Sequence, residues 1–437
     1  MANEIKDQQD ILAKLNIAAL NPMQEEAIAV IEKTANTILL SPTGTGKTLA
    51  FILPIIKNLK ADNPEVQALI VVPTRELAIQ IEQVVRNMGS GFKVNAVYGG
   101  RAKSKDKIEL KHTPAILVGT PGRILDHFDD DRFSKASITT LVLDEYDKSL
   151  EIGFESEMSE ILVALSGVSK RILTSATQGV DIPKFVKLDK PVVLDYLSET
   201  IDPKLAVKIV ISPDKDKLTT LLKLLRYLGN QPGIVFCNFR DSIEMVSDYL
   251  KASNISHTCF SGGMEQKDRE RALIKFRNGT SQILVSTDLA ARGIDIPELK
   301  FIIHYELPHS AVEFTHRNGR TARVNEKGTA YVLKWKNQLL PEFIEKTEPI
   351  EIPQTATQPT ELWETLFISG GRKDKISKGD IAGLFIKQGN ITNDQLGAIE
   401  LKQDCAFVAV PLALAGQLVS KLNNSRLKKK KVRIYVL

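Results

Sequence analysis

The 437-residue sequence is poor in cysteine and tryptophan, with three and two residues respectively. Cys237, Cys259 and Cys405 lie far apart, form no CxxC or other zinc spacing, and make an odd number that suits no disulfide framework. We therefore expect a reducing, cytoplasmic environment in which the cysteines act as small apolar residues. The first ten residues are charged and unlike a secretory signal. No apolar run approaches the roughly 20 residues that cross a bilayer.

The excess of positive charge lies in the last part of the chain. The whole sequence has a net charge of +5, whereas residues 362–437 alone carry +7 and the preceding residues carry −2. A compact basic segment behind a nearly neutral body predicts binding to a polyanion, with nucleic acid as the first candidate. On charge alone, a solvated face that serves solubility is the alternative.

The first 200 residues alternate short apolar runs with longer helical patterns. Their length and β-branched composition are typical of strands buried on both faces of a parallel sheet. The runs lie at residues 37–41, 68–73, 95–100, 115–121, 140–145 and 171–177. Several end in Gly, Thr, Ser or Asp, at the carboxyl edge where open α/β sheets bind ligands. We predict a first α/β domain over residues 1–200.

The same alternation begins again after residue 204 and predicts a second α/β domain over residues 204–345. Its apolar runs lie at residues 206–212, 232–238, 282–287, 299–305 and 328–334. A polar stretch at 198–204 is the predicted hinge between the two domains. Residues 346–361 are rich in Pro, Thr and Glu, a composition that predicts an extended linker.

Residues 362–437 show the order β-α-β-β-α-β. The predicted elements are strands at 365–370, 396–401, 406–410 and 432–437 and helices at 377–388 and 412–424. This order suits a small α+β domain like an RNA-recognition motif (RRM). Its third strand keeps only Phe407 of the usual stacking aromatics, so that platform is incomplete. For Phe407 and Phe367, packing in the core and stacking on bases are both open.

The strongest single motif is SPTGTGKT, residues 41–48, between a predicted strand and a predicted helix. That context is what a phosphate-binding P-loop requires. Gly44 and Gly46 let backbone N–H groups curl around phosphate oxygens, and the helix places its positive end beneath them. Lys47 would contact the β- and γ-phosphates and Thr48 would ligate Mg²⁺. The strand and the helix argue against a chance glycine-rich turn.

About 100 residues further on, LVLDEYD delivers two adjacent acids to the same sheet edge. Asp144 suits Mg²⁺, and Glu145 suits the base that orients the attacking water. An ordinary acidic pair at a strand end would be the simpler interpretation if the P-loop were missing.

Together these motifs resemble the DEAD-box family of ATP-dependent RNA helicases over nearly the whole chain. Further short motifs follow in the family's order. They are PTREL (73–77), the glycine pair 99–100, TPGR (120–123), SAT (175–177), VFCN (235–238), QKDR (266–269), STDLAARGID (286–295) and HRNGRTAR (316–323). The resemblance implies an α/β fold with two tandem RecA-like P-loop domains, each a parallel sheet with helices on both faces, plus the C-terminal RRM-like α+β domain.

The resemblance also implies ATP and Mg²⁺ as cofactors and assigns the residues that handle them. Gln24 would read the adenine, Asp295 would hold the ribose, and Arg320 and Arg323 would be arginine fingers from the second domain. The catalytic set is Lys47, Asp144, Glu145, Arg320 and Arg323. The nucleotide set is Gln24, Thr43, Gly44, Thr45, Gly46, Lys47, Thr48 and Asp295. The metal ligands would be Thr48 and Asp144, and the residues that couple hydrolysis to domain movement would be Asp147, Ser175, Thr177 and His316.

RNA contacts implied by the resemblance go mostly to phosphate and sugar, without reading sequence. They fall on Thr74, Arg75, Gly100, Thr120, Arg123, Thr287 and Asp288. In the C-terminal domain, Arg372, Lys373, Lys375 and the basic segment 426–431 are the expected RNA contacts.

Four positions near the nucleotide motifs depart from the family pattern. Tyr146 stands where the family has alanine, so either its neighbours are smaller or the coupling between domains is altered. Ser41 replaces Ala or Gly. Ile17 replaces an aromatic residue and Asn21 a threonine, and both departures bear on adenine selectivity and not on hydrolysis. In the second domain, Ala322 replaces a common glycine.

The expected function is that of an ATP-dependent RNA helicase that unwinds structured RNA locally. Residues 365–385 resemble the DbpA/YxiN type of bacterial helicases, which implies a hairpin of 23S ribosomal RNA, pre-50S particles and large-subunit assembly. The alternatives are an ATP-gated RNA clamp or assembly scaffold with weak unwinding, and a DNA helicase, which the RNA-recognition-like tail disfavours. We expect a cytoplasmic monomer with no membrane partner.

Overall fold

The computed structural model describes residues 5–150, 155–165, 167–178, 181–197, 205–288, 299–321, 328–345, 347–353 and 362–437. The described residues divide into two compact units, the first ending at residue 197 and the second beginning at residue 205. The predicted hinge and the positions of Asp295, Ala322 and Arg323 lie outside the described residues. Among the described helices, none is long and apolar enough to cross a membrane.

The first unit is built on a seven-stranded parallel sheet with the spatial order β3-β4-β2-β5-β6-β1-β7. Its strands are β1 Asn36–Leu40, β2 Ala68–Val71, β3 Val94–Val97, β4 Ile116–Gly119, β5 Thr140–Asp144, β6 Lys170–Ser175 and β7 Val192–Asp195. Its helices are α1 Gln8–Lys14, α2 Pro22–Lys33, α3 Lys47–Asn58, α4 Arg75–Met88, α5 Lys103–Glu109, α6 Pro121–Asp129, α7 Tyr146–Ser149 and α8 Glu155–Ala164.

Both faces of this sheet are covered, as the apolar runs predicted. Leu39 and Ile70 belong to one hydrophobic cluster, which includes residues of α2, α3 and α4. Their strand neighbours Leu40 and Leu69 belong to a second cluster, which includes residues of α6 and α8. Because successive strand residues point to opposite faces, helices must pack on both sides.

The second unit begins with a six-stranded parallel sheet with the order β10-β11-β9-β12-β13-β8. Its strands are β8 Leu205–Ser212, β9 Gly233–Cys237, β10 His257–Phe260, β11 Ile283–Thr287, β12 Phe301–His304 and β13 Gly328–Trp335. Its helices are α9 Leu218–Leu228, α10 Arg240–Ala252, α11 Gln266–Arg277 and α12 Ala311–Asn318. Because of the family resemblance of its sequence motifs, we call this part helicase domain 2.

Part of the predicted linker lies against helicase domain 2. Ile350 N donates to Ile209 O at 2.9 Å, and Ile350 and Ile352 pack against the core of this domain. The linker boundaries at residues 346 and 361 stay predictions, since residues 346 and 354–361 are outside the described ranges.

Residues 362–437 form a separate two-layer structure of one sheet and two helices within the second unit. We call these residues the C-terminal domain. A four-stranded antiparallel sheet has the order β15-β16-β14-β19. The strands are β14 Trp363–Ile368, β15 Ile399–Leu401, β16 Ala406–Pro411 and β19 Ile434–Val436, with a hairpin of β17 Arg426–Leu427 and β18 Lys430–Lys431. The helices α13 Lys378–Gly383 and α14 Leu412–Leu422 cover one face of the sheet, and α13 continues into a π-helical turn at Leu384–Gln388. The predicted α+β class of this domain is confirmed.

Candidate functional site

The carboxyl edge of the first sheet collects the predicted site residues in two groups. β1, β5 and β6 adjoin one another, and they lead into the P-loop, Asp144 and Ser175. β2, β3 and β4 also adjoin one another, and they lead towards Thr74, Gly100 and Thr120. Since all seven strands are parallel, these ends share one edge, the usual ligand edge of such sheets. The residues predicted to handle phosphate and those predicted to hold RNA therefore occupy adjacent halves of it.

The loop between β1 and α3 curls around the ammonium group of Lys47. Lys47 Nζ donates to Ser41 O at 2.5 Å and to Pro42 O at 3.0 Å. Gly44 and Gly46 have φ angles of +88° and +87°, a left-handed region that disfavours side chains. Gly46 immediately precedes the first turn of α3. Backbone N–H groups, a helix N-terminus and an ammonium group thus lie together, and this donor set suits a chain of phosphates.

Ser41 adds a hydrogen bond across the P-loop that Ala or Gly could not make. Its hydroxyl lies 2.8 Å from the Thr45 hydroxyl, and Ser41 is buried. Thr45 Oγ1 also lies 2.9 Å from Pro42 O, to which it donates. This departure from the family pattern is therefore accommodated within the loop.

The start of α2 touches the P-loop through two amide side chains, those of the N-cap residue Asn21 and of Gln24 in the first turn. Asn21 Oδ1 accepts from Gln24 N at 2.9 Å, and Gln24 Oε1 accepts from Asn21 N at 3.0 Å, a reciprocal cap of α2. Asn21 Nδ2 donates to Thr45 O at 3.0 Å, and Gln24 Nε2 donates to Gly46 O at 3.3 Å. The predicted adenine-reading residue is thus placed beside the phosphate-binding loop.

The two acids at the end of β5 differ in environment. Asp144 is buried, and its carboxylate accepts hydrogen bonds from the Thr174 hydroxyl and, at 3.1 Å, from Glu145 N. Burial raises the pKa of Asp144, and the Thr174 hydrogen bond and the charge of Lys47 act in the opposite direction. Glu145 has a φ angle of +51°, a strained conformation for a side-chain-bearing residue that is common at functional sites.

The end of β6 is bonded to the last acid of the DEYD segment. Thr177 Oγ1 donates to Asp147 Oδ2 at 2.9 Å. Ser175 Oγ accepts from Thr177 N at 3.0 Å and donates to Thr177 O at 2.9 Å. Three of the four predicted coupling residues are therefore in one network. The fourth, His316, is a buried residue of α12 in the second unit.

Tyr146 packs into the core of the first unit. It is 4% exposed and belongs to the cluster that contains Leu150 and Met158. Burial raises the pKa of its hydroxyl, and the negative charge of Asp147 adds to this effect. The aromatic ring is accommodated by the core, and the neighbouring contact between Asp147 and Thr177 is present beside it.

On the RNA half of the edge, Thr74 and Arg75 begin α4. The Thr74 hydroxyl caps this helix by accepting from Leu77 N at 3.3 Å. The guanidinium of Arg75 lies against Gly100, where an added Cβ would be 2.4 Å from Arg75 Nη1. Gly100 also has a φ angle of +81°. The positive φ angle favours glycine at this turn, and the missing side chain leaves room for the Arg75 guanidinium in its present position.

Arg123 is held by a buried acid that the sequence motifs did not reveal. Asp106 in α5 is buried and lies 3.3 Å from Arg123 Nη1, 3.4 Å from Arg101 Nε and 3.2 Å from His127 Nε2. Arg123 Nη2 also donates to Arg101 O at 2.6 Å. The only available sequence signal was an acid in the helix between the glycine pair and TPGR. The network fixes the loops that follow β3 and β4 relative to each other.

A buried arginine joins the strand ends of helicase domain 2 in the same way. Arg317 is 1% exposed, and its Nη2 donates to Asn238 Oδ1 at 2.8 Å and its Nη1 to Glu306 O at 3.0 Å. Its Nε lies 3.8 Å from Asp288 Oδ1. Arg317 thus connects the segments after β9, β11 and β12, a role that was not predicted. Arg320, two residues beyond α12, is 5% exposed.

In the C-terminal domain the predicted basic residues are exposed, but two lysines of the final run are paired. Arg372, Lys373 and Lys375 are exposed. Lys428 Nζ lies 2.9 Å from Asp380 Oδ1, and Lys430 Nζ lies 2.8 Å from Asp374 Oδ2. Lys429 and Lys431 of the same hairpin are exposed.

Phe367 and Phe407 lie outside the main core cluster of the C-terminal domain. Phe367 is the centre of an aromatic row, with ring centroids 5.6 Å from Phe407 and 4.7 Å from Tyr435. Tyr435, which the sequence did not single out, is 42% exposed, whereas Phe407 is 6% exposed. The row lies on the sheet face opposite the two helices.

Comparisons with known proteins match this arrangement along the chain. A DEAD/DEAH box helicase model matches residues 21–185, a helicase conserved C-terminal domain model matches 216–325, and a DbpA RNA binding domain model matches 365–436. The ATP-dependent RNA helicase DbpA of Escherichia coli is 30% identical over 98% of this chain and 96% of that protein. The protein of the same name from Bacillus subtilis is 29% identical over 94% and 93%.

Two solved structures are similar to the helicase part. Mss116p bound to single-stranded RNA and AMP-PNP has a TM-score of 0.68 and 26% identity, and covers 76% of this chain and 73% of its own. Dbp5 of S. cerevisiae bound to RNA and ADP BeF3 has a TM-score of 0.67 and 25% identity, with 75% and 87% coverage. The chain therefore belongs to the DEAD-box family of ATP-dependent RNA helicases. It is an RNA-dependent ATPase and helicase with two RecA-like domains, and it binds ATP and RNA.

Proposed function

We propose that this helicase remodels 23S ribosomal RNA in pre-50S particles during assembly of the large ribosomal subunit. Its C-terminal domain would anchor the RNA while the two RecA-like domains unwind nearby helices. The observation that carries the proposal is the full-length likeness to DbpA, which extends through the RNA binding domain at residues 365–436. The enzyme would act as a cytoplasmic monomer.

Magnesium fits the acidic side of the nucleotide site. Asp144 is a buried carboxylate whose pKa is raised by burial, so a cation at this place would offset the cost of its charge. Thr48, in the first turn of α3, offers a second hard oxygen. These two residues would hold Mg²⁺, which neutralises charge on the β- and γ-phosphates.

The remaining residues of the site divide the work of binding and hydrolysis. Lys47 and the backbone of residues 43–48 would bind the phosphates, and Gln24 would bind the adenine. Glu145 would orient the attacking water and accept its proton. Arg320 and Arg323, from the second unit, would stabilise charge on the γ-phosphate, and Asp295 would hold the ribose.

Hydrolysis would be coupled to RNA binding through the network at the end of β6. Thr177 is already hydrogen-bonded to both Asp147 and Ser175, so a shift of the neighbouring acids Asp144 and Glu145 would be transmitted to that segment. His316 would be their partner from the second unit when the domains close. Thr74, Arg75, Gly100, Thr120, Arg123, Thr287 and Asp288 would hold the RNA backbone.

The second candidate function is an ATP-gated RNA clamp with weak unwinding. Tyr146 is the observation that favours it, because this bulky residue stands next to Glu145 where the family has alanine. Two hydrogen bonds favour an active enzyme, the one that Thr177 donates to Asp147 and the one that Lys47 donates to the backbone of Ser41. A steady-state ATPase assay with total RNA separates the two, since a clamp would show little turnover.

The direct test of the RNA target is stimulation of the ATPase by fragments that tile 23S rRNA. Unrelated structured RNAs of equal length serve as the control. We expect one fragment to give a higher kcat/KM for RNA than the controls. Equal stimulation by every RNA would withdraw the 23S target and leave the helicase class unchanged.

A further inference from the structure

The end of α11 contacts the sheet of the C-terminal domain. Arg277 Nε lies 2.7 Å from Glu400 Oε1, and Arg277 Nη2 donates to Glu400 Oε2 at 3.1 Å. The two side chains are only 27% and 21% exposed. A guanidinium that faces both oxygens of a carboxylate is a strong and directional pairing. The pair joins helicase domain 2 to the C-terminal domain.

Buried polar side chains extend this contact. Asn278 Nδ2 donates to Thr365 Oγ1 at 3.2 Å, and the hydroxyls of Thr280 and Thr365 are 2.7 Å apart. Thr365 is completely buried and Asn278 is 5% exposed. These direct hydrogen bonds fix the relative position of the two surfaces, and their net contribution to docking is modest because water would solvate the same groups after separation.

Trp363 fills the space between the two parts. Gly279 has a φ angle of +75°, and a Cβ added there would lie 3.6 Å from Trp363 Cδ1. On its other side, a Cβ at Gly397 would lie 2.9 Å from Trp363 Cζ3. The indole therefore packs between the turn after α11 and the segment before β15. At Gly397 a side chain would collide with it, whereas at Gly279 the left-handed φ angle is what favours glycine.

The contact uses the face of the sheet that points away from the domain's own core. On β14, Leu366 and Ile368 belong to that core. Trp363, Thr365 and Phe367 have the opposite parity along the strand and point to the other face. Helicase domain 2 therefore covers the part of this face next to the aromatic row.

The basic hairpin lies on the helix side of the C-terminal domain. Lys428 and Lys430 tie it to Asp380 in α13 and to Asp374 just before it. Ile381 of α13 is buried in the core on the inner face of the sheet. Docking through the outer face thus leaves the exposed lysines of the hairpin accessible to RNA.

We infer that the outer face of the C-terminal sheet, which carries Trp363, Thr365 and Phe367, is a docking surface for helicase domain 2 of the same chain. Docking holds the RNA-anchoring C-terminal domain at a fixed distance from the motor, which is the pair of RecA-like domains. The inference rests on the proposed function, because the fixed position has a consequence only if the C-terminal domain anchors RNA. Covalent connection raises the effective concentration of the two surfaces to about millimolar, so a small interface suffices. A duplex beside the anchored RNA would then reach the motor at one preferred spacing.

The test is a charge swap across the interface in the full-length protein. Glu400→Arg and Arg277→Glu each place like charges opposite one another, and the double variant restores an opposite pair with its direction reversed. Lys251→Glu is the control, because Lys251 is an exposed residue of α10 paired with Asp248 within helicase domain 2. It makes the same change in net charge as Arg277→Glu, away from the contact.

Docking itself is measured by fluorescence energy transfer without RNA. Fluorophores are attached at Lys223→Cys in α9 and Asn393→Cys in the C-terminal domain, in a background with Cys259→Ser and Cys405→Ser. We expect one narrow distribution for the parent protein and the Lys251 control. Each single reversal should give a broad distribution of lower transfer, and the double variant should regain the narrow one. Unchanged transfer in both single variants would overturn the docking.

The functional arm measures unwinding of a duplex placed at graded distances from the stimulating 23S rRNA fragment. We expect each single reversal to lower unwinding at the best spacing by about tenfold, as lost effective concentration predicts, with recovery in the double variant. Single variants that lose docking but keep the same spacing preference would overturn the role of docking. Failure of the proposed 23S target shows differently, as equal ATPase stimulation by all RNAs in the parent protein, and leaves the fluorescence result standing.

Discussion

Asp106 Oδ2 lies 3.3 Å from Arg123 Nη1, and this buried carboxylate also contacts Arg101 and His127. Asp106 belongs to α5 and Arg123 to α6, so the pair bridges the loops that follow β3 and β4. Arg123 is 8% exposed. A guanidinium so enclosed is oriented by its acid, which makes Asp106 a positioning residue for the predicted RNA-binding edge.

We predict that Asp106→Asn weakens RNA binding while leaving nucleotide binding intact. Asparagine keeps the size of the side chain but cannot balance the charge of Arg123, which would then lose its fixed orientation. The expected loss is about tenfold in RNA affinity, equivalent to about 1.4 kcal/mol. RNA titrations at several salt concentrations measure it, and the KM for ATP at saturating RNA should not change.

Asp126→Asn is the matched control for this prediction. Asp126 Oδ2 lies 3.7 Å from Arg123 Nε, but its side chain is 38% exposed, so solvent screens the pair. RNA affinity should stay close to that of the parent protein. Equal losses in the two variants would mean that any neighbouring acid serves and that Asp106 has no special part.

Glu145→Gln should retain ATP and RNA binding and lose hydrolysis. The amide keeps the shape of the side chain but cannot accept a proton from water, and general-base contributions of this kind are worth about 100-fold or more in rate. Single-turnover ATP hydrolysis with saturating RNA measures the loss, and fluorescent-nucleotide binding checks the site. Glu155→Gln, at an exposed position of α8, is the control. Normal turnover by Glu145→Gln would remove that residue from its proposed role.

Tyr146→Ala, which restores the usual family residue, should destabilise the first unit. Tyr146 is 4% exposed within the core, and removal of a buried aromatic ring leaves a cavity that costs about 3 kcal/mol or more. Thermal unfolding measures the change. Tyr146→Phe keeps the ring and should remain close to the parent protein in stability. A strong rise of RNA-stimulated ATPase in the Tyr146→Ala variant would instead support the clamp, because it would show that the tyrosine restrains the motor.

Much of the fold was predictable because buried parallel strands have a simple signature. β1, β2, β4 and β5 are continuous apolar runs, and each was predicted within a few residues. β7 Val192–Asp195 was missed, since it lies at the sheet edge where Val192 and Val193 are exposed and no flanking pattern marks them. β10 His257–Phe260 was missed because an edge strand that is only half buried carries His and Thr.

The site was predictable where a motif specifies backbone geometry. It was not predictable where the site depends on contacts between side chains that are far apart in the sequence. The spacing of the glycines in the P-loop indicates left-handed turns, so residues 41–48 were predicted from the sequence alone. Asp106 and Arg317 act through partners that lie 17 and 79 residues away respectively, and spacing carries no signal for such pairs. The lysine run looked uniform in sequence, yet Lys428 and Lys430 are paired with Asp380 and Asp374.

The pairing of Asp380 predicts a pH dependence in the C-terminal domain. Hydrogen bonds from the Ser377 hydroxyl, from Lys428 and from the Ser377 amide lower the pKa of Asp380 to about 2, from an ordinary value of 3.8. Since the fold favours the charged carboxylate, its stabilising contribution is present above about pH 4 and is lost as the pH falls towards about 2. Hydrogen exchange of the α13 amides measures this. Protection should be lower in Asp380→Asn than in the parent protein at pH 5, and the difference should shrink towards pH 2. A difference that stays constant across that range would contradict the assignment.

The hairpin lysines should separate into two functional pairs. Lys429 and Lys431 are exposed, so replacement of both by Gln should weaken binding of the stimulating RNA and lower the slope of log affinity against log salt by about 1.4 for single-stranded contacts. Lys428→Gln with Lys430→Gln removes the same charge from the same hairpin but breaks its ties to Asp380 and Asp374. This control pair should lower the thermal stability of the C-terminal domain, whereas the first pair should not. Identical salt slopes for the parent protein and the Lys429–Lys431 variant would show that RNA contacts the domain elsewhere, with Arg372 and Lys373 as the next residues to replace.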